Sequence, residues 1–194
     1  MKRRINRVPA ILLLFIIVVL GFITGVLTIA LWQENWLVQE EILNKEFIFK
    51  INELNIDKRA LFFLCLGKRL RAFFILFLLA FSTVNIFVNI IFFSLNGLYI
   101  GSVMELFAIR YGMQGIIMYL SLVLPHGIFY VIGFMILGCW CLNLEKNTLT
   151  ALNRKIEKLK RIKDIGRIAI AMIFILIGII LESYINMDFF SFFV

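Results

Sequence analysis

Four ionisable side chains lie within or beside long apolar stretches of this chain: Glu105, Arg110, His126 and Glu182. A charge at the centre of a bilayer costs about 2.5–3.5 kcal/mol on insertion scales, so each such group must be paired, face a polar cavity or act chemically. Three arrangements suit these residues. Arg110 can neutralise Glu105 or Glu182 and so clip two helices together. Arg110, His126 and Glu182 can instead converge on a polar pocket open to the outside, for a partner or a small ion. A proton pathway is the third use. At such depth the neutral imidazole is the cheaper form of His126, and its expected role is to donate one hydrogen bond to Glu182 or to a partner.

Other reactive groups offer less. The single His leaves no His-based metal cluster, and Cys139-x-Cys141 without a nearby His is a poor metal site. Cys65 is expected on the opposite side of the membrane from that pair, so all three thiols read as apolar filler. No Walker loop, G-x-S-x-G elbow or H-E-x-x-H occurs. Catalytic residues, cofactors and metal ligands are therefore expected to be none, and the chain reads as a non-enzyme. Asn85 and Asn89, four apart, face one way and suit interhelical hydrogen bonding. Gly21-x-x-x-Gly25 and Gly97-x-x-x-Gly101 are small-x-x-x-small faces, suited to close packing within one chain or, as the alternative, to a homo-oligomer.

The elements that must position these groups follow from composition. Of 194 residues, 62% are hydrophobic and only 16% charged. A soluble domain is about 45–50% apolar and about 25% charged, so the soluble globular class is excluded. Disorder needs low hydrophobicity and is excluded as well. Residues 8–33 form a charge-free run of 26, enough for one span near 9–31. MKRRINR before it resembles a signal-peptide n-region. The apolar run is too long for an h-region and no A-x-A site follows, so an uncleaved anchor is expected. The runs 72–104 and 111–144 hold 33 and 34 residues. At 1.5 Å per residue each makes a helix of about 50 Å, too long for one crossing of about 30 Å. The Asn96-Gly97 pair reads as a turn and Pro125 as a helix start. This gives spans near 71–93, 96–112 and 126–143, a short interfacial or re-entrant helix over 113–124, and a last span over 168–188.

Charge sets the orientation. The N-terminus carries Lys2, Arg3, Arg4 and Arg7 without an acid. The segment 143–167 carries eight bases (Lys146, Arg154, Lys155, Lys158, Lys160, Arg161, Lys163 and Arg167) against Glu145, Glu157 and Asp164. Positive-inside places both in the cytoplasm. The expected fold is one all-α integral membrane domain over 1–194, a polytopic protein of about five transmembrane helices with the N-terminus inside and the C-terminus outside. The loop 32–70 is then extracytoplasmic and 144–167 a cytoplasmic basic loop. The formal charge of +8 belongs to these loops and does not indicate nucleic acid. Trp32, Trp36 and Trp140 fit interfacial belts. Residues 36–54 and 60–71 read as helices lying on the outer surface. Leu149, Leu152, Ile156 and Leu159 form an apolar stripe backed by lysines, a basic amphipathic helix on anionic membrane lipid.

The strings FFSLNGLYIGSVME, LSLVLPHGIFY and LIGIILESYIN, with LGFITGVL in the first span, occur in this order along most of the chain. They resemble the stage II sporulation protein M family, whose pattern runs YNGLxLG, then LPHGIxE, then a terminal helix ending like IEAFITP. The chain departs from it at Tyr130, where the family usually has an acid, and at Asn186-Met187, where it usually has Thr-Pro. The resemblance implies a multi-pass cell-membrane scaffold for engulfment during endospore formation. It would hold cell-wall-degrading partners, stage II sporulation proteins D and P, at the mother-cell engulfing membrane. The motif positions that carry over are Asn96, Gly97, Gly101, Pro125, His126, Gly127 and Glu182, in structural or partner-docking roles; Arg110 joins them on the charge argument above. The competing class is a membrane subunit of a transporter or channel, for which the helix break at Pro125 and Glu105 in an apolar setting are the support.

Overall fold

The computed structural model describes residues 9–36, 57–147 and 154–185. All elements among them are helices: α1 (Ala10–Trp36), α2 (Lys58–Leu79), α3 (Asn85–Asn147) and α4 (Arg154–Tyr184). Among the described residues three stretches are long and apolar enough to cross a membrane: Ala10–Trp32, Asn85–Asn143 and Ile162–Tyr184. The fold class is therefore all-helical, with membrane-spanning character. α2 carries Lys68, Arg69 and Arg71 along its middle and is not among the three.

The second stretch is 59 residues long, about 90 Å if straight and roughly three bilayer cores. It is not straight. Gly112 adopts φ 61° and ψ −140°, a region closed to residues with a Cβ. There the chain folds back, so α3 is a hairpin of two arms, 85–111 and 113–147. The arms run antiparallel. Phe107 packs on Tyr119 near the tip, Phe92 on Phe134 midway, and Asn85 donates to the Cys141 carbonyl at 2.6 Å near the open end. Asn85 thus does join two helical arms across a buried contact; Asn89 bonds back to Asn85 within its own arm.

The helix boundaries differ from those read in the sequence. No turn occurs at Asn96-Gly97, which lies inside the first arm; the chain breaks instead at 80–84, between α2 and α3. There the Ser82 hydroxyl accepts from the Val84 amide, a local side-chain bond that competes with helix. Pro125 does not start a helix either, because the second arm runs through it. Its ring removes one intrahelical hydrogen bond, a loss that packed neighbouring helices tolerate in membrane bundles. The segment 113–124 is continuous with the second arm and 60–71 with α2, so neither is a separate helix. The expected surface helix 36–54 lies outside the described residues apart from its first residue, and the stripe over 149–159 falls on residues whose side chains are not described.

Neighbouring elements set a consistent order of direction. α1 lies parallel to the first arm, for Gly21 meets Ser94 and Gly25 meets Leu98 and Ser102. α2 lies parallel to the second arm, with Arg69 over Tyr130 and Phe77 stacked on Trp140. α4 lies antiparallel to the second arm, with Gly133 against Ala171 and Ile175 and Gly178 against Tyr130. Five helical segments therefore alternate in direction along the chain. Trp140 is buried among Phe77 and Phe81. The core unites Leu14, Phe73, Leu76, Phe93, Phe134, Leu137, Ile175 and Ile179 from all of them.

Candidate functional site

The glycine motifs form one seam. A Cβ on Gly97 would lie 2.3 Å from the Val18 carbonyl oxygen, and one on Gly101 would lie 2.2 Å from that of Phe22. Gly21 and Gly25 answer from α1, at 2.4 Å from the Ser94 oxygen and 2.2 Å from the Leu98 oxygen. Each glycine thus admits the partner's backbone, and Ser102 Oγ adds a long 3.4 Å hydrogen bond to the Gly25 carbonyl. Helices in lipid gain association by such close approach, because burying apolar surface earns nothing there. Asn96, beside this seam, is exposed and donates to the Phe92 carbonyl of its own turn at 2.7 Å.

The titratable groups gather elsewhere, where α2, the second arm of α3 and α4 meet. Arg69 Nη2 lies 3.4 Å and 3.5 Å from the two oxygens of Glu182. Tyr130 Oη donates to Glu182 Oε2 at 2.5 Å. The guanidinium also lies over the Tyr130 ring, 4.3 Å from its centroid. His126, one turn before Tyr130, sets its ring edge against the tyrosine at 5.6 Å between centroids. The arrangement is a three-helix clip: one carboxylate accepts from a cation and a phenol, and the cation stacks on the phenol's face. The side chains of Arg69 and Glu182 keep 35% and 21% exposure, so the cluster is partly screened and reachable from one side. Cation–π contacts contribute about 0.5–2 kcal/mol according to how far they are desolvated. A hydrogen bond to a charged group contributes roughly 1.5–3 kcal/mol.

The cation that the structure sets against Glu182 is Arg69. Phe134, one turn from Tyr130, packs on Phe92, whereas Arg110 lies near the hairpin tip at the far end of that arm. At 1.5 Å per residue this places Arg110 roughly 20 Å along the axis from the Tyr130–Glu182 level. Arg110, His126 and Glu182 do not form one pocket, because the turn falls at Gly112 and raises Arg110 above the other two. Arg110 and Glu105 are both half-buried. His126 is buried against Tyr130. Gly127 does not receive an incoming helix: the atom nearest its missing Cβ is the Val123 side chain of the same arm. Pro125 lies in the arm's interior. Cys65 and Cys141 are buried and Cys139 half-buried, all as thiols.

Arg69 and Tyr130 were the residues that sequence reasoning did not assign to the site. Arg69 sits in Lys68-Arg69-x-Arg71, which reads as a solvated face, and its distinguishing signal is only that Phe-rich sequence surrounds it. Tyr130 was marked as the departure from a family acid, and the structure gives that departure a use, since a phenol can donate to Glu182 where a second carboxylate would repel it. Among the described residues no group of His, Cys, Asp and Glu could hold a metal ion.

A family model described as stage II sporulation protein M matches residues 10–186, nearly the whole chain. No curated protein and no solved structure gives a match.

Proposed function

Because the chain belongs to the stage II sporulation protein M family, we propose that this sporulation-related membrane protein is a non-enzymatic scaffold for engulfment. In this reading it anchors cell-wall-degrading partners, stage II sporulation proteins D and P, at the mother-cell engulfing membrane. The observation that carries the reading is the extent of the family match, which runs from the first helix to the end of the last. The architecture supports it. Five helical segments of alternating direction suit five crossings, and the positive-inside distribution suits a cytoplasmic N-terminus and an extracytoplasmic C-terminus. The Arg69–Tyr130–Glu182 clip then fixes α2 and α4 to the hairpin, so that the outer ends form a rigid platform for a partner.

Affinity capture of the tagged full chain from sporulating cells tests the scaffold role. The expected result is co-purification of the two partners, with Glu182→Ala reducing their recovery relative to the captured chain. Recovery of an ATPase and neither partner would overturn the scaffold in favour of a transport subunit. Reporter fusions test the topology independently: those after Asn55 and at Val194 should read outside, and one at Lys158 inside.

A further inference from the structure

A groove of about 760 Å³ opens between α1 and α4 over the second arm of α3. Its walls are Ile11, Leu12 and Phe15 on α1 and Ile170 on α4, and Ile132 and Ile136 belong to its floor. The lining is aliphatic and aromatic except at one end, where Asn143 and Arg167 stand. Its volume is that of a small-molecule site, which spans about 300–1,000 Å³. The amphipathic shape, apolar along its length and cationic at one end, is that of a lipid with an anionic headgroup.

Charge selects among occupants. Ile11 near the start of α1, Asn143 near the end of α3 and Arg167 on α4 line this end. The residues before α1 carry four bases and no acid, and 143–167 carries eight bases and three acids. A basic peptide is repelled there. A neutral lipid gains the apolar walls but nothing from the cations. Arg167 is exposed and meets Asp164, three residues earlier on its own helix, at a long 3.4 Å. That contact engages one terminal nitrogen of a guanidinium with five donors. The fork geometry that suits a phosphate is retained, and Lys163 is exposed one turn earlier on α4.

We propose that this groove is a binding site for one anionic glycerophospholipid, an acyl chain lying along Leu12, Ile132 and Ile136 and the phosphate held by Arg167 and Asn143. The site rests on the membrane character of the chain and not on the scaffold role. It differs from general attraction to a charged leaflet in having one place and one stoichiometry.

Native mass spectrometry of the full chain in detergent, offered equal amounts of phosphatidylglycerol and phosphatidylcholine, tests it. The expected result is retention of one phosphatidylglycerol in preference to phosphatidylcholine. Arg167→Gln should reduce that preference about tenfold or more, as loss of a charge-assisted contact does. Arg59→Gln, at the far end of α2, should leave it unchanged. Leu12→Trp or Ile132→Trp, which fill the groove from exposed positions, should abolish retention of both lipids while the thermal unfolding transition stays in place. Equal retention of the two lipids by the unaltered chain would overturn the site. So would an equal loss from Arg59→Gln, which means diffuse charge, or undiminished retention by both tryptophan variants. Capture of sporulation proteins is not involved, so failure here leaves the engulfment reading standing.

Discussion

Two junctions hold this bundle by opposite means. Between α1 and the first arm of α3, four glycines let backbone meet backbone, and a single long serine hydrogen bond is the polar contact described between the two helices. Where α2, the second arm and α4 meet, an arginine, a tyrosine and a glutamate are tied by charge and hydrogen bonds. The first junction works by shape, needs tight tolerance and has nothing to ionise. The second tolerates looser packing, since Arg69 Nη2 stands 3.4–3.5 Å from the carboxylate, but each member depends on the others being present. In lipid both solve one problem, the lack of hydrophobic drive between apolar helices.

The shape-based junction should respond most sharply. Gly97→Leu places a side chain where even a Cβ would meet the Val18 carbonyl at 2.3 Å, and the helices must part. A loss of about 3 kcal/mol or more is expected, the upper end of overpacking costs, seen as lost accumulation and a lowered unfolding temperature in detergent. A wild-type level would dissolve the seam as described. Arg69→Ala comes next. Removing one partner of a fully buried ion pair costs about 3–5 kcal/mol; with this pair's partial exposure the expected loss is about 1–3 kcal/mol. Arg69→Ala with Glu182→Gln should recover part of it, because the stranded carboxylate is gone. If the double variant is no better than Arg69→Ala alone, the charge argument at this junction fails. Tyr130→Phe keeps the ring under the guanidinium and removes only the donor to Glu182, for a loss of about 1–2 kcal/mol in the same unfolding assay. The smallest effect belongs to Gly67 on α2, where nothing lies within 4 Å of a built Cβ. Gly67→Ala should stabilise by up to about 1 kcal/mol through helix propensity, and a loss there would mean that α2 has a neighbour not yet accounted for.

The same two junctions show which features were readable from residues alone. The apolar runs disclosed the helical class and the membrane character, and LPHGI with the flanking strings disclosed the family. The glycine motifs were read as packing faces and are packing faces. The position of the turns was lost for one reason: Asn96-Gly97 has the composition of a turn, but Gly97 is there for its missing Cβ and not for its backbone freedom. The glycine that uses such freedom is Gly112, in Tyr111-Gly112-Met113, whose neighbours give no turn signature. Pro125 misled similarly, since a membrane helix can carry proline within its length where a soluble one stops. The clip was half legible. Glu182 drew notice because a carboxylate so late in an apolar run is costly, while Arg69 was hidden among Lys68 and Arg71, and only tertiary packing distinguishes the guanidinium that turns inward.

The parallel alignment of α1 with the first arm of α3 also governs the order of events on the ribosome. Gly25 and Ser102, which touch in the finished seam, are 77 positions apart. At about 5–20 residues per second, synthesis separates them by roughly 4–15 s. Two neighbouring segments that point the same way cannot join until the chain between them has returned, so the glycine face of α1 stays unclaimed until α2 and the first arm have been made. During those seconds the groove that Gly21 and Gly25 leave on α1 is open to any other small-residue helix face.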